Sequence, residues 1–406
     1  MTARLDPAEW MTAPATAAVF DALEAAGGAG CARFVGGCVR NAVLGRAVDD
    51  LDIATTLTPQ AVIAALKAAR LKAAPTGVEH GTVTAIAKGR PYEITTLRRD
   101  VATDGRRAVV RFTTDWAQDA ARRDFTLNAL YAGRDGAIFD PLGTGLADAH
   151  AGRIVFVGDA ETRIREDYLR ILRFFRFRAW YATGAPDPAA TAACAALKAG
   201  LAQLAAERVS KELLKLLAAP DPRAALALMV DAGVLAEILP QAGGLQRFEG
   251  LVEIGAGDAL LRLAALLPDA DTAAAVAQRL RLSNAERDRL IAALAQDGPA
   301  LHPDQTPQAT RRAAYRLGSA FADRVLLRWA AAPAEPGWGR MLGLAESWTP
   351  PRFPINGEDA VAAGLPRGPR MGAALREVEA WWVEADFPDR AAALARLDEA
   401  AKGSAP

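Results

Sequence analysis

Residues 34–56, FVGGCVRNAVLGRAVDDLDIATT, decide the fold of this chain. An apolar stub, Phe34-Val35, runs into two adjacent glycines, then Arg40, then three aspartates around a second apolar run. Asp50 and Asp52 flank Leu51, so on an extended strand their carboxylates share one face while Leu51 turns to the core. Like charges so placed repel, and core building alone gives no reason for them. A cation between them does. Gly36 and Gly37, between a strand and a helix, let backbone N–H groups approach a phosphate closely, and Arg40 adds a positive charge on the first helical turn. Two carboxylates a strand repeat apart can hold one or two Mg2+ ions, the usual way to align a nucleoside triphosphate with an attacking hydroxyl. Glu93, in YEITT, is placed to add a third ligand from a neighbouring strand.

Outward from this stretch, strands alternate with helices as far as about Pro141. ARFVGG and LDIAT read as short strands. TPQAVIAALKAAR reads as a helix with Thr58 as N-cap and Pro59 in the first turn. TVTAIAKGRPYEITTLR reads as a hairpin around Lys88, Gly89, Arg90 and Pro91. These pieces predict a small mixed sheet carrying helices. After Arg153 the period is helical throughout, Ala- and Leu-rich, broken by APDPR, LPQAGG and DGPALHPDQTP, which implies an extended helical array. The fold class expected is α+β.

Composition narrows the function classes. At 406 residues the chain is long for one core, and its 48 basic and 48 acidic residues balance, so nucleic acid would need a local basic surface. Only seven basic residues are lysine, a chain-wide bias that gives arginine abundance no functional weight. No run approaches a membrane span and the opening lacks a signal-peptide layout, so the expectation is a cytoplasmic protein with no membrane partner. Cys31, Cys38 and Cys194 match no zinc spacing and read as packing residues. The three histidines, His80, His150 and His302, are scattered and receive no role.

The motif at 36–56 resembles the signature of the class II tRNA nucleotidyltransferase and bacterial poly(A) polymerase family, within the polymerase-β-like superfamily. RRDFTLNALY (122–131), FDPLGTGLADAHAGRIVFVGD (139–159) and REDYLRILRFFRFRAW (165–180) continue the resemblance in order, and it persists more weakly in ERVSKELLKLLAAPDPRAALALMVDAGVL. The resemblance implies a nucleotidyltransferase head over 1–150 and a helical neck with base recognition over 151–245. A helical body over 246–347 and a tRNA-binding tail over 348–406 complete it. It assigns Asp50 and Asp52 to metal and catalysis, with Glu93 beside them. Gly36, Gly37 and Arg40 go to the incoming nucleotide, and Arg122, Arg123 and Asp124 lie near its ribose and triphosphate. Asn41 departs from the pattern, standing where many relatives have aspartate; a local hydrogen bond is expected to survive there.

The segment ETRIREDYLRILRFFRFRAW reads as one amphipathic helix with Glu166 four residues before Arg170 and Asp167 three before it. Family resemblance makes Asp167 and Arg170 the base readers. Cytosine and adenine each show an amine donor beside a ring-nitrogen acceptor, so a carboxylate and a guanidinium can accept both and reject uracil and guanine. Arg173 and Arg176, further along, are placed for phosphates. The activity implied is template-independent addition of CCA to the 3′ end of tRNA from CTP and ATP, with the helical region holding the acceptor and TΨC arms. RRDVATDGRRAVVRFTTDW, centred on Asp104 to Arg107, occupies the place of a flexible loop associated with A addition, which argues against a CC-only enzyme. A-only addition, poly(A) synthesis, nucleotide transfer to a small molecule and an inactive RNA-binding homologue stay open. Trp381 and Trp382 read as core.

Overall fold

The computed structural model describes residues 3–104 and 107–403. It divides into two compact units, Met1–Pro240 and Gln241–Pro406. The first holds a seven-stranded sheet in the order β3-β4-β5-β2-β1-β8-β9. Its strands are β1 Ala32–Val35, β2 Asp52–Thr55, β3 Lys72–Gly77, β4 Thr82–Ala87, β5 Arg90–Thr96, β8 Tyr131–Ala132 and β9 Ile138–Phe139; β6 Arg98–Asp104 and β7 Arg107–Phe112 pair separately. The sheet is mixed: β1 runs antiparallel to β2 and β8, while β2 and β5 are parallel.

Period-two alternation gives the sheet two chemically different faces. Phe34, Ile53, Val83, Tyr92 and Ile94 are buried on one face. Helix α1, Pro14–Gly27, covers it: the Phe20 and Phe34 rings pack tilted with centroids 4.6 Å apart, and the Thr16 hydroxyl bonds the Tyr92 hydroxyl at 3.1 Å. The opposite face carries Val35, Ala54 and Tyr131, packed with Leu97, Ala120, Ala129 and Val157. Asp52 and Glu93 belong to that face, since Asp52 pairs with Glu93 in register. Helix α2, Gly37–Val43, follows β1; helix α3, Pro59–Ala68, follows β2, with the Thr58 side chain accepting the Ala61 N–H as N-cap and Pro59 at N1, as expected.

Three expectations change. β2 begins at Asp52, so Asp50 lies on the extended lead-in, although buried Leu51 still separates exposed Asp50 from half-buried Asp52. The polar stretch before RRDFT is a two-stranded antiparallel ribbon, β6 on β7, where valines and threonines favour extended backbone. Its tip, Gly105-Arg106, is outside the described residues. The arginine-rich segment is two helices, α5 Ala160–Glu166 and α6 Leu169–Tyr181, with helix α4, Trp116–Ala121, earlier in the chain. Asp167 makes the break: its backbone is extended (φ −158°, ψ 107°) and its Oδ1 accepts the Leu169 N–H, a side-chain bond that competes with helix continuation. Helix α7, Ala206–Leu217, buries Val209, Leu213, Leu216 and Leu217 within the same unit.

The second unit is helical from Gln246 to Gly403 among the described residues. One of its clusters gathers Phe321, Val325, Trp338 and Met341; another gathers Val378, Trp382, Val383 and Leu397, with Tyr315, Phe353 and Phe387 against it. Trp382 is a core residue as expected, its indole N–H donating to the Pro388 carbonyl at 2.7 Å. All three cysteines are free and buried. No helix among the described residues is long and apolar enough to cross a membrane.

Candidate active site

The carboxylates on the sheet face opposite α1 are the first component. Asp52 and Glu93 are paired positions on parallel strands, and Asp50 stands two residues ahead of Asp52. Among the described residues, no side chain hydrogen-bonds or ion-pairs with these three carboxylates. Burial, then the charge of Glu93, pushes the Asp52 carboxyl up to about 6; Arg123 opposes this and Asp50 adds to it. This is a surplus of negative charge on hard oxygen donors, which suits a divalent cation. Among the described residues no three acidic, imidazole or thiol groups converge to cage an ion unaided. The arrangement therefore fits a divalent cation held by one or two carboxylates and completed by substrate phosphates and water.

Opposite them lies the cradle. Gly36 caps α2 with φ 70° and ψ −120°, a left-handed conformation that side-chain-bearing residues resist, and a Cβ there would stand 3.5 Å from Arg123 Nη1. Arg40 is buried and spends its donors inward: Nη1 donates to Asn128 Oδ1 at 2.7 Å and Nη2 to the Tyr181 hydroxyl at 2.8 Å. Asn41 keeps the expected local bonds, accepting from Arg40 Nη2 at 2.9 Å and donating to the Ala47 carbonyl at 2.9 Å.

Arg122, Arg123 and Asp124 follow α4, and the two arginines are fixed by a residue the sequence reading passed over. Asp119, 1% exposed, accepts from Arg122 Nε at 2.9 Å, Arg123 Nη2 at 3.0 Å, the Tyr131 hydroxyl at 2.7 Å and the Arg98 N–H at 3.2 Å. Burial pushes its carboxyl up, but Arg123 and Arg122, with these hydrogen bonds, outweigh that and hold it at about 2. The signal was present in DAARR, where an acid precedes two arginines by three and four residues on one helical face. Asp124 is buried too and faces inward, accepting from Phe125 N–H at 2.8 Å, Asn128 Nδ2 at 2.9 Å and Arg173 Nε at 2.7 Å.

Around the α5–α6 break, Asp167 and Arg170 stand close in sequence but have separate partners. Asp167 Oδ2 accepts from Arg208 Nη2 at 2.7 Å. Arg170 Nη1 donates to Glu166 and, at 2.7 Å, to the Arg163 carbonyl, while Nη2 reaches the Arg122 carbonyl at 3.5 Å. The Glu166–Arg170 pair expected from spacing is therefore present. Three described bonds on a guanidinium with about five N–H donors leave capacity for a ligand. Arg173 is ion-paired with Asp124, and Arg176 Nε donates to Glu212 at 2.6 Å. Asn128, Arg208 and Glu212 also escaped the sequence reading, since their bonds to Arg40, Asp167 and Arg176 cross tens of residues and leave no local pattern.

A carboxylate-bearing mixed sheet, a glycine-led helix beside it and an arginine cluster continuing into a helical region define a nucleotidyltransferase with a polymerase-β-like head. Comparison with known proteins makes this specific. Residues 32–155 match the poly A polymerase head domain and 185–243 the probable RNA and SrmB-binding site of polymerase A. Mouse (Mus musculus) mitochondrial CCA tRNA nucleotidyltransferase 1 is 35% identical over 379 residues, covering 87% of this chain and 83% of the relative. The CCA-adding enzyme of Levilactobacillus brevis is 32% identical over 375 residues, covering 89% and 92%. A crystal structure of the Bacillus stearothermophilus CCA-adding enzyme in complex with CTP superposes with a TM-score of 0.75 at 29% identity, covering 95% of this chain and 96% of that one. The chain belongs to the CCA tRNA nucleotidyltransferase family, whose members are also called CCA-adding enzymes.

Proposed function

We propose that this protein builds the CCA end of tRNA, adding CMP, CMP and AMP from CTP and ATP without a nucleic-acid template. The observation that carries the reading is the group of carboxylates at Asp50, Asp52 and Glu93, brought together on one sheet face of a chain that is 35% identical to a CCA tRNA nucleotidyltransferase. In each step the tRNA 3′ hydroxyl, losing its proton to solvent, attacks the α-phosphorus of the incoming nucleotide; a new P–O bond forms as the bond from that phosphorus to the α,β-bridging oxygen breaks, and pyrophosphate leaves. Asp50 and Asp52 would hold the divalent cation, Mg2+, with Glu93 auxiliary; when bound it neutralises charge on the transferring phosphoryl group. Arg123 and the Gly36 turn face the triphosphate, and Asp119 keeps that arginine from collapsing onto Asp52. Asp167 accepts the amine of cytosine or adenine and Arg170 donates to its ring nitrogen, so uracil and guanine meet an acceptor with an acceptor and a donor with a donor.

The head is assigned to 1–150 and the base-reading neck to 151–245, with the helices of 246–347 and 348–406 holding the acceptor and TΨC arms through phosphate contacts. The thiols of Cys31, Cys38 and Cys194, free and buried, suit the reducing cytoplasm. The test is product length after incubation with Mg2+, labelled CTP or ATP, and tRNAs ending before C74, before C75 and before A76. CMP incorporation on the first two and AMP on the third supports the proposal. AMP alone on the third indicates an A-only enzyme, a long A tail a poly(A) polymerase, and no product an inactive homologue.

A further inference from the structure

We infer that Arg208 is a positioning residue for base choice, holding the Asp167 carboxylate in the orientation in which it meets a base. This rests on the reading of Asp167 as the base acceptor. Asp167 lies in the gap between α5 and α6 with extended backbone, so no helical turn fixes its side chain. Two bonds do so instead: Oδ1 takes the Leu169 N–H at 3.1 Å and Oδ2 takes Arg208 Nη2 at 2.7 Å. One bond to each oxygen stops the carboxylate from turning about its own axis, and each oxygen keeps a second acceptor site for a ligand.

The clamp comes from a rigid place. Arg208 projects from α7, whose apolar residues are buried, and Glu212, one turn on, grips Arg176 at 2.6 Å and approaches Arg173 at 4.0 Å. A single helix thus holds Asp167 and Arg176 directly, while Arg173, 4.0 Å from Glu212, keeps Asp124 as its close partner. The Arg208 and Asp167 side chains are 24% and 23% exposed, so the pair stands at an accessible edge rather than inside a core. Its consequence is rejection as well as acceptance. Uracil and guanine are excluded because a carboxylate oxygen faces a base carbonyl, acceptor against acceptor. A carboxylate free to turn aside no longer enforces that clash.

The experiment measures kcat/KM for CTP and UTP on tRNA ending before C74, and for ATP and GTP on tRNA ending before A76, in wild type, Arg208→Gln, Arg208→Lys and Asp167→Ala. Arg208→Gln is expected to lower the CTP:UTP and ATP:GTP ratios about tenfold, as for a lost oriented contact to a base, and Arg208→Lys to restore them toward wild type. Thermal midpoints check folding; should Arg208→Gln not fold, Arg208→Met, which keeps the packing of the stem, takes its place. A merely structural role would lower all four values together, and unchanged ratios in the Arg208 variant overturn the assignment. If Asp167→Ala collapses the ratios while the Arg208 variant does not, only the role of Arg208 fails. If Asp167→Ala leaves them unchanged, the base-acceptor reading fails with it.

Discussion

Replacing Asp119 with asparagine should loosen Arg122 and Arg123, the arginines proposed to face the nucleotide, without touching the proposed metal ligands Asp50 and Asp52. Its carboxyl sits at about 2 against an ordinary 3.8, and at roughly 1.4 kcal/mol per pH unit that difference is worth roughly 2–3 kcal/mol at neutral pH. The side chain is 1% exposed, so solvent screening takes little from this figure. Asparagine also turns an amide donor toward Arg122, Arg123 or the Tyr131 hydroxyl, a mismatch of about 1–3 kcal/mol. A total of about 3–6 kcal/mol corresponds to about a 10²- to 10⁴-fold rise in local opening. Hydrogen exchange of peptides spanning 97–99 and 119–132 reads this at pH 7. The sign with pH follows from the lowered carboxyl: its stabilisation is complete above the ordinary carboxylate range and is lost as pH falls from about 4 toward 2. The wild-type advantage over Asp119→Asn should therefore shrink in that window. Exchange changed by less than about threefold at pH 7, or an advantage undiminished at pH 2, would refute the hub assigned to Asp119.

Asp50→Ala and Asp52→Ala should each abolish incorporation of both nucleotides while tRNA affinity, measured by filter binding, stays within about twofold; Glu93→Ala should cost less. Wild-type turnover in either aspartate variant would contradict the metal assignment. Shortening the β6–β7 ribbon at its tip, 104–107, should spare CMP incorporation and suppress AMP incorporation, whereas equal loss of both would mean that the ribbon only supports the fold. Gly36→Ala forces a side chain into φ 70° and should cost about 1–2 kcal/mol of head stability by chemical denaturation. A smaller cost with unchanged KM for CTP would show that the turn relaxes freely.

What could be read in the sequence was local. Thr58 and Pro59 announced a helix start because capping involves neighbours in the chain, and Val35-Gly36-Gly37 announced a strand-to-helix turn because only glycine tolerates its geometry. The antiparallel pairing of β1 with β2 and the parallel pairing of β2 with β5 left no such mark, since strand direction is set by connections and not by residue type. The break at Asp167 was hidden by an apolar period that runs through both helices, while the cause is one carboxylate bonding the Leu169 N–H. Arg173 and Arg176 read as free cations on a helix face. Their partners, Asp124 and Glu212, lie 49 and 36 residues away in the chain, and only the folded chain brings them together.

The central claim, that the protein selects C, C and then A with no template, is tested most directly by sequencing the 3′ ends formed when tRNA ending at its discriminator base meets Mg2+ and all four nucleoside triphosphates at equal concentration. The account predicts CCA and termination there with wild-type protein, and unextended ends with Asp52→Ala. Tails of repeated A, incorporation of U or G at the rate of C, or CCA ends formed by Asp52→Ala would contradict it.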